Sequence, residues 1–238
     1  MRSLSDHLTT KDKIDPKTGE RQRIYYYKGK HCPTHLIKGP LAKQYIGYQL
    51  IMRDLEDAER WLTHAYDFFP KEESDHMKPD EDRYRDNQIG DEKNHAIVKS
   101  LFFSSLIFYG KCFTQAKGRG VKLEKSIVPP GFHAKHDCIM EYRHTLAAHS
   151  GEGQWDTGKL RLLLPPKKGS NIGPRINSEL HRLDFEDDRM DKCQFLELIK
   201  IVHRNVKTKK DIIGQKIFKE IILPRGEDYW YKSSPKSQ

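Results

Sequence analysis

The sequence holds no apolar run approaching the roughly 20 residues that cross a bilayer. Met1 to His7 also lacks the apolar core of a secretory signal. The expectation is a chain that spans no membrane and resides in the cytoplasm. There is no glycine-rich phosphate loop, Gly-x-Ser-x-Gly elbow or paired zinc-ligand histidine motif, so three common kinds of hydrolytic site lack their usual parts. Cysteine is scarce. Cys32, Cys112, Cys138 and Cys193 are scattered, and three of them fall in segments that read as helices, where a free thiol packs as a small apolar group. They read as reduced, since an even number alone says little about disulfides in a chain of this size. His31-Cys32-Pro-Thr-His35 and His133-x-x-His136-x-Cys138 have zinc-ligand residue types without finger or ribbon spacing, so neither a metal nor a cofactor is expected. Internal repeats and sustained heptads are missing as well, which points to a bundle and not a rod.

What is present is charge. Charged residues make up 32% of the chain and the net charge is +9, a balance that favours polyanionic partners, nucleic acid first. At 238 residues the chain is long enough to bury a proper core. A mean hydropathy of −0.83 gives it a wet surface.

Four long helices can be read from the spacing of apolar residues. Residues 1–38 form an N-terminal arm: Lys11 to Arg23 is polar with turn chemistry at Asp15-Pro16 and Thr18-Gly19, and Arg23 to Tyr27 could form a short strand. The first helix follows Gly39-Pro40, with Leu41, Tyr45, Tyr48, Met52, Leu55, Leu62 and Phe69 on one stripe. Residues 71–88 are a charged loop. The second helix, about Glu92 to Gln115, is apolar nearly all round and reads as the buried centre of a bundle. Gly118-Arg119-Gly120 stops it, and Pro129-Pro130-Gly131 introduces a third helix from about Phe132 to His149. A β-hairpin insertion at about 158–186 comes next, with strands Lys159 to Leu164 and Leu180 to Phe185. A last helix from about Asp188 to Ile222 carries Phe195, Leu198, Ile199, Val202, Val206, Ile213, Ile217 and Ile221. The expected fold is mainly α: one helical domain over 39–224, a small β-hairpin between the third and fourth long helices, and a polar tail over 225–238.

The third helix ends in an unusual way. It reads Glu141-Tyr142-Arg143-His144-Thr-Leu-Ala-Ala-His149-Ser150-Gly151: an arginine, a polar residue beside it, small and apolar residues, then a histidine just before the break. This pattern resembles the signature of the HEPN superfamily, in which Arg and a polar residue are followed by a His late in a helical bundle. Tyr142 to Ser150 is also similar to the Arg-Asn-Lys-x-x-Ala-His-Ser wording of small members of that group. The resemblance spans roughly residues 40–222. It implies a four-helix HEPN-like bundle and metal-independent cleavage of RNA, with the ribose 2′-hydroxyl attacking the adjacent phosphate. In that chemistry His149 is the general acid or base, because imidazole titrates near neutrality. Arg143 supplies a permanently charged fork for the phosphorane oxygens. His144 stands at the polar position of the motif. His136, seven residues before Arg143, shares its helix face and is an accessory candidate, and Lys111 is a weaker candidate for a phosphate contact.

Six residues of regular helix leave Arg143 and His149 about 120° apart around the axis and about 9 Å apart along it. A pair working together needs the helix end at Gly151 to turn His149, or a second copy of the chain to complete the cleft. The resemblance implies a homodimer, with RNA or a nucleotide as ligand, an inhibitor protein as a further partner, and a setting of phage defence or stress-induced growth arrest. In toxin members a tyrosine two positions after the histidine is the modified residue; here that position is Gly151, which removes that route of control. Plainer roles stay open. Arg143 could pair with Glu141, Asp137 or a carboxylate of the fourth helix, and His149 could be a cation favoured at a helix C-terminus. The alternative function is a non-catalytic helical module that binds RNA, nucleotide or a protein partner.

Overall fold

The computed structural model describes residues 7–16, 18–19, 21–68, 92–116, 118–148, 156–168, 173–182 and 194–232. The loop expected at 71–88 lies outside them, as do Cys193, His149 and Gly151. Among the described residues the chain is mainly helical with two small antiparallel sheets. It divides into two compact units, Ile46–Lys210 on the one hand and Met1–Tyr45 with Asp211–Gln238 on the other. The divisions fall inside the first and last long helices, whereas the sequence places domain boundaries after residues 38 and 224.

The unit Ile46–Lys210 is built from α1 (Pro40–Asp67, here from Ile46), α2 (Glu92–Cys112), α3 (His133–Ala148) and the first part of α4 (Gln194–Ile217). Steps of three and four residues put Ile51, Leu55, Ala58, Leu62 and Ala65 of α1 on one buried stripe. Val98, Phe102, Leu106, Tyr109 and Cys112 do the same on α2, Ile139 and Tyr142 on α3, and Phe195, Leu198, Ile199, Val202 and Val206 on α4. These residues form one continuous core. Its aromatic centre is fixed edge to face, with Phe195 at 6.4 Å from Phe102 and 5.5 Å from Tyr109. Burying each of these rings contributes on the order of 2–3 kcal/mol.

The composition of α2 suggests a helix buried on every side, but Ile107 is exposed and Leu101, Phe103 and Phe108 are only half-buried. Three neighbours cannot enclose a helix completely, so its fourth side faces water. The segment joining α2 to α3 adds Leu123, Ile127 and Val128 to the core. Pro130 opens a single 3₁₀ turn (Pro130–Phe132) that leads into α3, where its missing N–H costs nothing. The Asn205 amide of α4 ties down this connection by donating to the Ile127 carbonyl at 2.9 Å.

Between α3 and α4, β4 (Asp156–Leu163) pairs antiparallel with β5 (Arg175–Arg182), from Asp156 opposite Arg182 to Leu163 opposite Arg175. The first strand begins three residues earlier than the apolar run suggests. The second, expected over 180–185, already begins at Arg175, because the ladder is set by cross-strand pairing and not by the position of the largest apolar residues; residues 183–185 lie outside the described residues.

In the other unit the N-terminal arm is a three-stranded meander: β1 (Leu8–Ile14), β2 (Arg21–Tyr27) and β3 (Lys30–His31). Turn chemistry extends over only part of the polar 11–23 stretch. The Gly19 N–H donates to the Asp15 carbonyl, and Gly19 takes a positive φ of 69°. Strand β1 is hidden in the sequence because all its residues are exposed, so no apolar alternation marks it. The tail holds a short helix, α5 (Gly226–Lys232), instead of a uniformly polar extension. Trp230 anchors it through its indole N–H to the Ile222 carbonyl and through its ring, 5.3 Å from that of His35. Among the described residues no helix is long and apolar enough to cross a membrane.

Candidate functional site

Helix α3 carries Arg143 to the seam with α2. The arginine lies directly over Gly110: a Cβ added to Gly110 would sit 2.8 Å from Arg143 Cγ and 3.0 Å from Cδ. Only glycine permits this approach. The aliphatic stem packs on the bare backbone of α2, and its Nε is buried without a hydrogen-bond partner among the described residues. A buried, unanswered N–H costs about 1–3 kcal/mol and is uncommon in native structures, so it calls for an explanation. None of the carboxylates proposed from the sequence is seen to supply one. Asp137 is held by Lys125, 2.6 Å away, and that ammonium draws its carboxyl below the usual range.

His136 faces the same helix two turns further back, as its seven-residue spacing from Arg143 requires. It is buried, with Nδ1 2.9 Å from the Tyr109 hydroxyl and its ring 4.5 Å from that of Phe113. Burial, more than any neighbouring charge, pushes its pKa down, so the ring is neutral at physiological pH. The Tyr109 hydroxyl is driven the opposite way, also chiefly by burial. His136 and Tyr109 are thus a neutral, hydrogen-bonded pair inside the core. His144 is exposed on α3. His149 lies outside the described residues, so its distance from Arg143 is not part of this geometry.

Lys111 is directed to α1 instead. Its ammonium donates to Asp54 at 3.1 Å and stands 4.8 Å above the Phe108 ring. Asp54 is buried, and its other oxygen accepts from Arg119, also buried. Arg119 in turn donates to the carbonyl of Lys111 at 3.3 Å, answering one of the open carbonyls at the end of α2. Gly47 makes room for this loop, since a Cβ there would come within 2.6 Å of the Arg119 carbonyl oxygen. An open cleft of about 480 Å³ lies over the network, with Leu50, Arg53, Asp57, Phe108 and Gly118 among its lining residues.

The sequence reading missed Asp54 and Arg119. Arg119 stands between two helix-stopping glycines, which marks its loop, whereas nothing local sets Asp54 apart from the solvated charges of α1. The zinc-type clusters do not assemble: among the described residues no group of three or more His, Cys, Asp or Glu could hold a metal ion. His133 instead donates to the Val128 carbonyl, and Cys32, Cys112 and Cys138 are free thiols. The Cys112 thiol is pushed up to about 12 by burial and by the nearby Asp54 carboxylate. No family model, no curated protein and no solved structure matches this chain.

Proposed function

We propose that the helical unit is a HEPN-like bundle whose α3 end, Arg143 to His149, acts on RNA without a metal. The observation that carries this reading is Arg143 itself. A guanidinium stem is fitted over a glycine, its Nε is buried, and no described carboxylate claims it. An arginine serving only to balance a neighbouring charge would be paired, as Arg119 is with Asp54. Among the described residues nothing holds the Arg143 Nε, and a phosphate matches the forked donors of a guanidinium.

In the proposed reaction His149 takes the proton of the ribose 2′-hydroxyl and that oxygen attacks the adjacent phosphorus; the P–O5′ bond breaks, the 5′-oxygen leaves with a proton from water, and a 2′,3′-cyclic phosphate remains. Arg143 stabilises the added charge on the non-bridging oxygens. His144 stands beside the arginine as an accessory group. Because a regular helix keeps positions 143 and 149 apart, the reading includes a homodimer in which two such helix ends share a cleft. An inhibitor protein and a role in phage defence or growth arrest belong to the same proposal.

The test is RNA degradation by the purified chain beside Arg143→Ala and His149→Ala, with oligomeric state followed by light scattering. A loss of at least roughly 100-fold in both variants, in a dimeric protein, is the expected result. Equal degradation by all three would remove the nuclease assignment. No cleavage by the parent chain, with weaker nucleotide binding in the variants, would leave the non-catalytic binding module.

A further inference from the structure

The three-stranded N-terminal sheet presents two faces of different character. Cross-strand partners share a face, and successive residues alternate. Asp12 is opposite Arg23 and next to the Ile14–Arg21 pair, which places these residues on one face. There the carboxylate of Asp12 is fully used. It accepts from Arg21 and, at 3.0 Å, from Arg23, and these two guanidiniums hold its pKa below the usual range, Arg23 foremost.

The opposite face carries Thr9, Lys11, Lys13, Ile24, Tyr26 and His31, by the register Lys11 to Ile24, Thr9 to Tyr26 and Tyr26 to His31. Among its described residues there is no carboxylate. Lys11 and Lys13 are both exposed, and among the described residues neither is paired with an acid. The Lys11 ammonium instead rests 5.4 Å from the centre of the Tyr26 ring, and the His31 ring meets Tyr26 edge on at 6.0 Å. Lys11 is exposed and Tyr26 half-buried, and a cation–π contact near the surface contributes about 0.5–1 kcal/mol, so a better partner for the ammonium displaces it readily.

We propose that this face binds single-stranded RNA. Two lysines two residues apart on a strand stand about 6.8 Å from each other, a spacing that follows successive phosphates of an extended strand. Tyr26 offers a ring beside them on which a base stacks once Lys11 swings to a phosphate. The combination fits a polymer that alternates anions with flat rings. An acidic lipid surface or an acidic peptide would use the lysines but not the ring. The choice of RNA over DNA rests on the proposed RNA chemistry of the helical unit; the binding face itself does not.

The full chain is titrated into a fluorescein-labelled 12-residue 2′-O-methyl uridine oligomer, which lacks the attacking hydroxyl and so reports binding alone. Anisotropy is read at several salt concentrations. Lys11→Gln/Lys13→Gln is expected to weaken binding roughly tenfold and to flatten the salt dependence by about 1.4 in log–log slope, about 0.7 for each phosphate contact on a single strand. Tyr26→Ala is expected to lose roughly fivefold or more, and Tyr26→Phe to bind like the parent. Unchanged binding by the double glutamine variant overturns the proposal. So does failure of the parent chain to bind, or equal affinity of the parent for phosphatidylserine vesicles or a polyglutamate peptide. Cleavage of unmodified RNA is measured in parallel: absent cleavage with this binding pattern intact removes the nuclease reading, and with it the choice of RNA over DNA, and leaves the sheet as a face for single-stranded nucleic acid.

Discussion

Gly110 and Arg143 meet so closely that the smallest side chain on the glycine would stand 2.8 Å from the arginine Cγ. In a helix interior glycine is worth about 1 kcal/mol less than alanine, so a glycine there has a structural cost that something else must offset. The stem of Arg143, laid across the bare backbone, is what the glycine permits.

The sign of one substitution should therefore depend on the other. Gly110→Ala in the parent chain forces the arginine aside and is expected to destabilise by about 1–3 kcal/mol. In an Arg143→Ala background the overlapping Cγ and Cδ are gone, and the same change should be neutral or stabilising by up to about 1 kcal/mol. Urea unfolding of the four proteins measures the coupling. Simple additivity would mean that the two residues do not constrain each other.

A second expectation concerns the buried network of Asp54. Arg119→Ala removes the enclosed partner of this carboxylate and the donor at the end of α2, leaving Lys111 as the only described cation bonded to it. Breaking a buried pair on one side costs about 3–5 kcal/mol, toward the lower figure here because the lysine remains. Arg119→Ala with Asp54→Ala should cost less than the sum of the two single changes. Denaturant midpoints for the three variants decide this, and a loss under about 1 kcal/mol for Arg119→Ala would show that the pair is not holding the loop.

These two relationships mark the limit of what the sequence discloses. The stripes Met52–Leu55–Leu62 and Phe195–Leu198–Val202 are visible as spacing, because burial of one helix face imposes a period of 3.6 on the residues that form it. The prolines at 40 and 130 and the glycines around Arg119 announce element ends for equally local reasons. Gly110 looks instead like an indifferent break in an apolar run, since its purpose depends on a residue 33 positions away. Asp54 reads as one more solvated charge of α1, because nothing local says that Arg119 comes to meet it. Strand β1 has no apolar side and therefore no period to detect. The motif at Arg143 is legible as a string, whereas the fit of Arg143 over Gly110 is tertiary.

The turn between β2 and β3 offers a test of the N-terminal sheet. Tyr27 pairs with Lys30, so Lys28 and Gly29 form a two-residue hairpin turn, with φ values of 48° and 79°. Both positive angles suit the primed turns that match strand twist, but a lysine at the first position is strained where asparagine or glycine would fit. Lys28→Asn should protect the amides of β2 and β3 from hydrogen exchange by about 1 kcal/mol more than in the parent. The Lys28 ammonium, 5.6 Å from the Tyr27 ring centre, is lost in this variant, which subtracts a few tenths of a kcal/mol. Slower exchange confined to these strands is the expected pattern, and faster exchange would mean that the lysine contact outweighs the backbone strain.

Acid should loosen the α2–α3 seam through His136. Its folded pKa lies below the ordinary 6.5, mainly from burial, with Lys125 and His133 also lowering it and Asp137 opposing them. Above about pH 6.5 the ring is neutral in both folded and unfolded chains and contributes no pH dependence. As the pH falls below that value the unfolded chain takes up a proton that the folded core refuses, so stability declines until the folded pKa is reached. His136→Gln removes this titration and weakens the bond to Tyr109, which costs about 1 kcal/mol at every pH. The variant should melt lower than the parent at pH 7.5, yet the gap should narrow at pH 5. A gap that stays constant between these pH values would show that protonation of His136 is not linked to unfolding, and its packing against Phe113 and Tyr109 would then be its whole contribution.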